Sequence, residues 1–179
     1  MNTETIKWLN GLEQQSAAAE LKRCCGSSWW CQQVAAARPF SDAEQLTAAA
    51  DRAFDTMPED AWLEAIRSHP KIGDFESLKM KYAGNRDWSG GEQAGAAAAD
   101  DQTLRQLAAG NESYEKRFGY LFVVCATGKS AQQMLDLLEL RLSNDPAEEL
   151  STAAAEQRKI THLRLAKLTP LPQGGAGGG

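Results

Sequence analysis

The stretch from Asn111 to Ala126 constrains the fold of this chain more than any other. Tyr114, Phe118, Leu121, Phe122 and Cys125 recur at i, i+4, i+7, i+8 and i+11, the spacing of one helical face. Its first half carries charges, whereas Gly119 to Ala126 is apolar on every side. A helix that is apolar all round must be enclosed by other elements, so the stretch is predicted as a central helix entering the core.

The rest of the chain supplies helices to enclose it. Ile6, Leu9, Leu12, Ala17 and Leu21, interrupted at Asn10-Gly11, predict two short helices. Ser27 and Ser28 precede a helix over Trp29 to Ala37 that Arg38-Pro39 stops. Trp29 and Trp30 are adjacent and cannot share a face, so one is expected to pack and the other to lie at a groove. Ser41-Asp42-Ala43-Glu44 reads as a capping box for a helix ending near Met57, and Pro58 then starts the next helix. Gly73, Gly84 and Asn85 weaken the pattern from Lys71 to Trp88, which is predicted to be mostly irregular. Ser89-Gly90-Gly91-Glu92 repeats the capping-box pattern ahead of an alanine-rich helix that should end at Gly110.

Beyond the central segment, Gly128 reads as a helix C-cap, followed by a helix carrying Met134, Leu135, Leu138 and Leu142. Thr127-Gly128-Lys129-Ser130 resembles the end of a phosphate-binding loop, but the glycine that such a loop needs falls on Val123. Asn144-Asp145-Pro146 caps a last long helix, with Leu150, Ala154, Ile160 and Leu168 as its apolar stripe. No stretch carries strand signals. The prediction is an all-α, single-domain bundle of about eight to nine helices over residues 1–170, followed by a disordered Gly-rich tail over 171–179.

Nineteen basic against 24 acidic residues give a net charge of −5, which disfavours nucleic acid or an anionic membrane as partner. No apolar run approaches the roughly 20 residues that span a bilayer, and the chain start lacks a basic region followed by an apolar one. The expected location is cytoplasmic. Cys24, Cys25, Cys31 and Cys125 fit neither a zinc site nor a disulfide framework, so free thiols are expected.

Three places could carry chemistry. In Ser68-His69-Pro70-Lys71-Ile72-Gly73-Asp74, proline disfavours helix in the residue before it, so the preceding helix should stop at Ser68 with His69 turned inward. An imidazole there can serve as acid or base, or simply bond a carbonyl at a helix end. Glu92, with Ser89 and Gln93, either caps a helix or lines a site. Arg164 lies four residues from both Ile160 and Leu168 and interrupts their apolar face, as an ion pair or as an anion-binding group. His162, on another face, is expected in solvent.

Ala61-Trp62-Leu63-Glu64-Ala65 followed by Ser68-His69-Pro70-Lys71-Ile72-Gly73 resembles the signature of the 2-oxo-4-hydroxy-4-carboxy-5-ureidoimidazoline (OHCU) decarboxylases. The likeness continues in order through Cys25-Gly26-Ser27, Ala37-Arg38-Pro39-Phe40, Ser89-Gly90-Gly91-Glu92-Gln93, Tyr114 and Phe118-Gly119. It extends to Ala126-Thr127-Gly128-Lys129-Ser130, Arg141-Leu142-Ser143-Asn144, Glu148-Glu149-Leu150 and Ile160-Thr161-His162-Leu163-Arg164-Leu165.

The resemblance implies a helical homodimer that decarboxylates OHCU to (S)-allantoin without metal or cofactor, downstream of a urate-oxidising enzyme and 5-hydroxyisourate hydrolase. It implies His69 as principal acid/base, Glu92 as its orienting or polarising partner and Arg164 as the holder of the anionic edge. Pro70, Ser89, Gln93, Phe118, Gly119, Tyr120 and Leu121 would complete the substrate site. Two other readings compete: a diverged helical protein that binds a related ureido or imidazoline acid without catalysis, and a divalent-metal hydrolase. Two distant histidines argue against the metal.

Overall fold

The computed structural model describes residues 2–71, 74–83 and 93–171, with the side chains of 83 and 93–100 left out of account. Among the described residues the fold is all-α. Nine helices follow in order: α1 Thr3–Gly11, α2 Gln14–Leu21, α3 Ser28–Ala36, α4 Ala43–Asp55, α5 Glu59–Arg67, α6 Phe75–Ala83, α7 Gln93–Phe118, α8 Ala131–Arg141 and α9 Pro146–Ala166. They form two compact units, Met1–Ala65 with Arg158–Gly179, and Ile66–Gln157. The second capping-box pattern at Ser89 to Glu92 and the glycine-rich end beyond Leu171 lie outside the described residues. No helix among the described residues is long and apolar enough to cross a membrane.

The first unit is built on Trp30, which is fully buried, stacks on Phe54 at 5.3 Å and donates its indole N–H to Ala50 O at 3.1 Å. Phe54 in turn stacks on Trp62 at 5.1 Å, so one aromatic column joins α3, α4 and α5. Trp29 is only partly buried against this core, in keeping with the split expected of adjacent tryptophans. Polar side chains close the helix ends. Arg38 donates to Ala35 O at 2.8 Å and to Leu9 O and Leu12 O at 2.6 Å each, satisfying carbonyls that end α3 and α1. Asn10 exchanges bonds with the Phe40 N–H and C=O. Glu64 on α5 accepts from the Ser28 N–H and hydroxyl at the start of α3. The Ala37 to Phe40 and Cys25 to Ser28 motifs are therefore clamps on the scaffold. At α4 the cap is Asp42 rather than Ser41: its carboxylate accepts from Gln45 N, and the Gln45 side chain accepts from Ser41 N.

In the second unit three expectations give way. The segment after Lys71 is not mostly irregular: α6 occupies Phe75–Ala83, started by Asp74, whose carboxylate accepts from the Ser77 N–H at 3.0 Å and from its hydroxyl at 2.7 Å. No break occurs at Gly110. α7 runs through it, and a side chain at that point would meet Leu138 Cδ2 of α8 at 2.6 Å, so the glycine lets the two helices approach. Finally, the central helix stops at Phe118 instead of Ala126. Gly119 takes φ +78° and donates its N–H to Glu115 O at 2.9 Å, the αL C-terminal motif, and the chain continues non-helically to Ala126. Gly128, at φ +75°, consequently caps no helix. It sits in the turn closed by Lys129 N and Ala126 O, ahead of a Ser130/Gln133 capping box that opens α8.

Candidate active site

His69 follows the end of α5, where its N–H still bonds Ile66 O at 3.3 Å. Helix cannot continue into a residue before proline, so the imidazole is set by the turn. It is half-buried, and its Nε2 lies 2.5 Å from Oε1 of Gln157, a fully buried residue of α9. The ring is thus turned toward the interior of its unit, as its place in the sequence predicts. Pro70 is exposed beside it. One residue on, Lys71 Nζ lies 2.6 Å from Glu115 Oε2, and that carboxylate raises the lysine pKa above its ordinary value. The ion pair ties the His69 segment to the last turns of α7.

Those turns lead into Phe118, Gly119, Tyr120 and Leu121. The Phe118 and Tyr120 rings flank Tyr114 at 4.7 and 5.9 Å, with Phe122 at 5.2 Å completing the aromatic group. Tyr120 is buried, Phe118 and Leu121 half-buried, and Gly119 exposed. Beneath the group lies a buried polar lattice. The Arg141 guanidinium donates to Glu149 Oε1 from Nε at 2.7 Å and again from Nη2, to Val123 O at 2.8 Å, and to the Tyr114 hydroxyl at 3.2 Å. Tyr114 donates its hydroxyl to Glu149, and Asn144 Nδ2 donates to Glu149 Oε2 at 2.8 Å. Burial, reinforced by the bond to Glu149, holds the Tyr114 phenol far above its usual range, so it stays a donor. Farther along the segment, Cys125 N donates to Glu156 Oε2 at 2.7 Å and Cys125 O accepts from Lys129 Nζ at 2.8 Å.

Arg164, described within the first unit, is half-buried with Nη1 3.4 Å from Cys24 O. His162 is not left in solvent. Its Nε2 lies 2.9 Å from Asp51 Oδ1, a carboxylate that also receives Arg158 Nε at 2.8 Å, while Arg158 Nη1 reaches Asp55 at 2.9 Å. Gln93 opens α7; Ser89 and Glu92 lie outside the described residues. Among the described residues no three His, Cys, Asp or Glu side chains cluster as metal ligands would.

Gln157 and the Arg141-Glu149-Tyr114 lattice escaped the sequence reading. The buried residues of α9 are Glu149, Ala153, Gln157, Thr161 and Leu165; of the predicted stripe of Leu150, Ala154, Ile160 and Leu168, only Leu168, just past the helix end, is buried. Their spacing of four was available as a signal, but only to a search for polar as well as apolar periodicity.

Over residues 10–166 the sequence matches the family described as OHCU decarboxylase. It is 38% identical over 149 residues to the uric acid degradation bifunctional protein TTL of Arabidopsis thaliana, covering 83% of this chain and 46% of that protein. With the 2-oxo-4-hydroxy-4-carboxy-5-ureidoimidazoline decarboxylase of Haloferax volcanii the identity is 28% over 170 residues, 93% of this chain and 97% of the relative. The chain therefore spans less than half of the Arabidopsis protein but nearly all of the Haloferax one. A crystal structure of OHCU decarboxylase in the presence of (S)-allantoin shares the fold with TM-score 0.67 and 32% identity, over 88% of this chain and 98% of that one. That of (S)-allantoin synthase, at 19% identity and TM-score 0.64 over 91% of this chain and 53% of that one, agrees in fold. A match that begins in the last turn of α1 and ends with the last residue of α9 takes in every later helix, and the chain belongs to the OHCU decarboxylase family.

Proposed function

We propose that this chain decarboxylates 2-oxo-4-hydroxy-4-carboxy-5-ureidoimidazoline to (S)-allantoin in urate breakdown. The observation that carries the reading is the family match across residues 10–166, with His69 in its His-Pro-Lys setting held against the interior. The carboxylate of this substrate departs from a carbon next to a C=N bond. As carbon dioxide leaves, the C–C bonding pair moves toward that C=N, generating an enol-like intermediate. The hydroxyl then gives up its proton as a carbonyl forms, and the ureido-bearing carbon takes a proton on one face. The electron sink lies in the substrate, so the reaction needs no cofactor.

In this reading His69 moves the protons, Glu92 orients it or polarises the ring nitrogens, and Arg164 holds the anionic edge. A positioned acid/base contributes about 10²–10⁴-fold in rate, and a guanidinium forms paired charge-assisted bonds to a carboxylate. Pro70, Ser89, Gln93 and Phe118 to Leu121 surround the substrate. The working protein is a cytoplasmic homodimer, supplied by urate-oxidising and 5-hydroxyisourate-hydrolysing enzymes.

The test generates fresh substrate from urate with those two enzymes and follows circular dichroism. Rapid appearance of allantoin of one hand, lost in folded His69→Ala, supports the reading. Racemic product at the uncatalysed rate from the unaltered protein overturns it, and a pH-rate profile unchanged by His69→Asn overturns the role given to the imidazole.

A further inference from the structure

The chain has two histidines, and each ring makes a side-chain hydrogen bond to a different kind of group. His162 meets the Asp51 carboxylate, which it shares with the Arg158 guanidinium. His69 meets the Gln157 amide, with Nε2 2.5 Å from Oε1. Gln157 is fully buried in the middle of α9, where a polar group without a hydrogen bond is costly. Its amide is also neutral. A carboxylate at that distance favours the doubly protonated ring; an amide oxygen accepts one N–H and adds no charge.

We propose that Gln157 is a positioning residue for His69: its Oε1 accepts the Nε2–H, fixes the ring plane, and places the lone pair of the neutral imidazole on Nδ1. A ring used for proton transfer has to gain and lose one proton near neutral pH, and an amide oxygen at Nε2 fixes the ring without adding a charge of its own there. The choice of nitrogen then follows from a partner 88 residues away in the chain. Partners that orient a reactive imidazole in this manner are worth about 10–100-fold in activity at metal sites, the nearest measured analogy.

This inference rests on the decarboxylase reading for its kinetic arm only. In ¹⁵N-labelled protein the two imidazoles can be told apart with a His162→Asn variant. The expected result for His69 is the Nε2–H tautomer near pH 7.5, with that preference lost in Gln157→Met. An Nδ1–H tautomer in the unaltered protein, or a spectrum that Gln157→Met leaves unchanged, overturns the proposal whether or not the protein decarboxylates anything. On the kinetic side, Gln157→Met should lower kcat about 10–100-fold with KM within about twofold. Gln157→Glu should move the acid limb of the kcat profile to higher pH, because the added carboxylate stabilises the imidazolium. A residue that merely fills space would leave that limb in place, and an unmoved limb in folded Gln157→Glu therefore counts against the proposal. Loss of all activity in the unaltered protein alongside the Nε2–H tautomer would remove the decarboxylase reading and leave the positioning contact standing.

Discussion

The guanidinium of Arg141 and the carboxylate of Glu149 are bonded to each other with 5% and 0% of their side chains exposed, from adjacent helices α8 and α9. Each of their remaining polar atoms that is described has a use: Val123 O and the Tyr114 hydroxyl for the arginine, Asn144 and Tyr114 for the glutamate. Removing one partner strands the other charge away from water. Glu149→Ala and Arg141→Ala should each cost on the order of 3–5 kcal/mol. Tyr114→Phe deletes a hydroxyl bonded to both charged groups and should cost at least about 1.5–3 kcal/mol. Denaturant unfolding checks the order; a Glu149→Ala protein as stable as the parent would show that the pair is not load-sharing.

Gly110 supplies a second test of packing, because helix propensity and tertiary fit point in opposite directions there. Alanine favours a helix interior by about 1 kcal/mol over glycine. Its Cβ would lie 2.6 Å from Leu138 Cδ2 and 3.3 Å from its Cγ, and Leu138, which would have to shift, is fully buried. Overpacking of this kind costs about 1–3 kcal/mol, so Gly110→Ala should lower the melting temperature. A smaller side chain at 138 should recover part of the loss in the double variant. A rise in melting temperature for the single variant would mean that α7 and α8 separate easily.

The thiols should divide sharply by reactivity. Burial, only partly offset by the Arg23 and Arg164 cations, pushes the Cys24 thiol up to about 11, and burial raises Cys25 and Cys31 as well. Only the thiolate is nucleophilic. At pH 8 one thiol per folded chain, the half-buried Cys125, should react with a disulfide reagent, and the other three only on unfolding. Fast modification of more than one would contradict this burial.

At α6 the sign of a pH effect can be worked out. Bonds from the Ser77 hydroxyl and N–H hold the Asp74 carboxyl below its ordinary value. A group lowered by folding stabilises above its unfolded pKa, near 3.9, and loses that contribution as pH falls through the lower folded value. The stability difference between the parent and Asp74→Asn should be constant above about pH 5 and shrink below about pH 4. A difference that grows on acidification would reverse the assignment.

Much of the fold was legible because helices announce themselves by spacing and caps: α1 to α5 follow the apolar periodicity closely, and Pro58 marks the start of α5, although the cap of α4 falls on Asp42, one residue after Ser41. Legibility failed where one pattern serves two structures. Apolar residues from Gly119 to Ala126 suit a buried helix or buried extended chain equally, and only the backbone at Gly119 decides between them. Gly110 looks like a terminator in sequence, but it lies inside α7, where it makes room for Leu138. α6 could have been found from Asp74 and Ser77, three residues apart at a helix start. Of the candidate site, His69 was legible from its proline and its spacing, whereas Gln157 was not, since a buried amide breaks the apolar pattern that marks a core face.

The turn at Gly119 has a consequence for how such a chain can change over generations. Once α7 ends, the peptide groups of the next stretch leave the helical ladder, and charged side chains from outside it hold several of them: Arg141 at Val123 O, Glu156 at Cys125 N and Lys129 at Cys125 O. What that stretch offers through its backbone does not depend on which side chains it bears. Apart from Tyr120, Phe122 and Val123, whose side chains pack inward, residues 120–126 can therefore drift while the offered amides and carbonyls stay the same, and the constraint is inherited elsewhere, by the three ionic residues that hold this backbone in place.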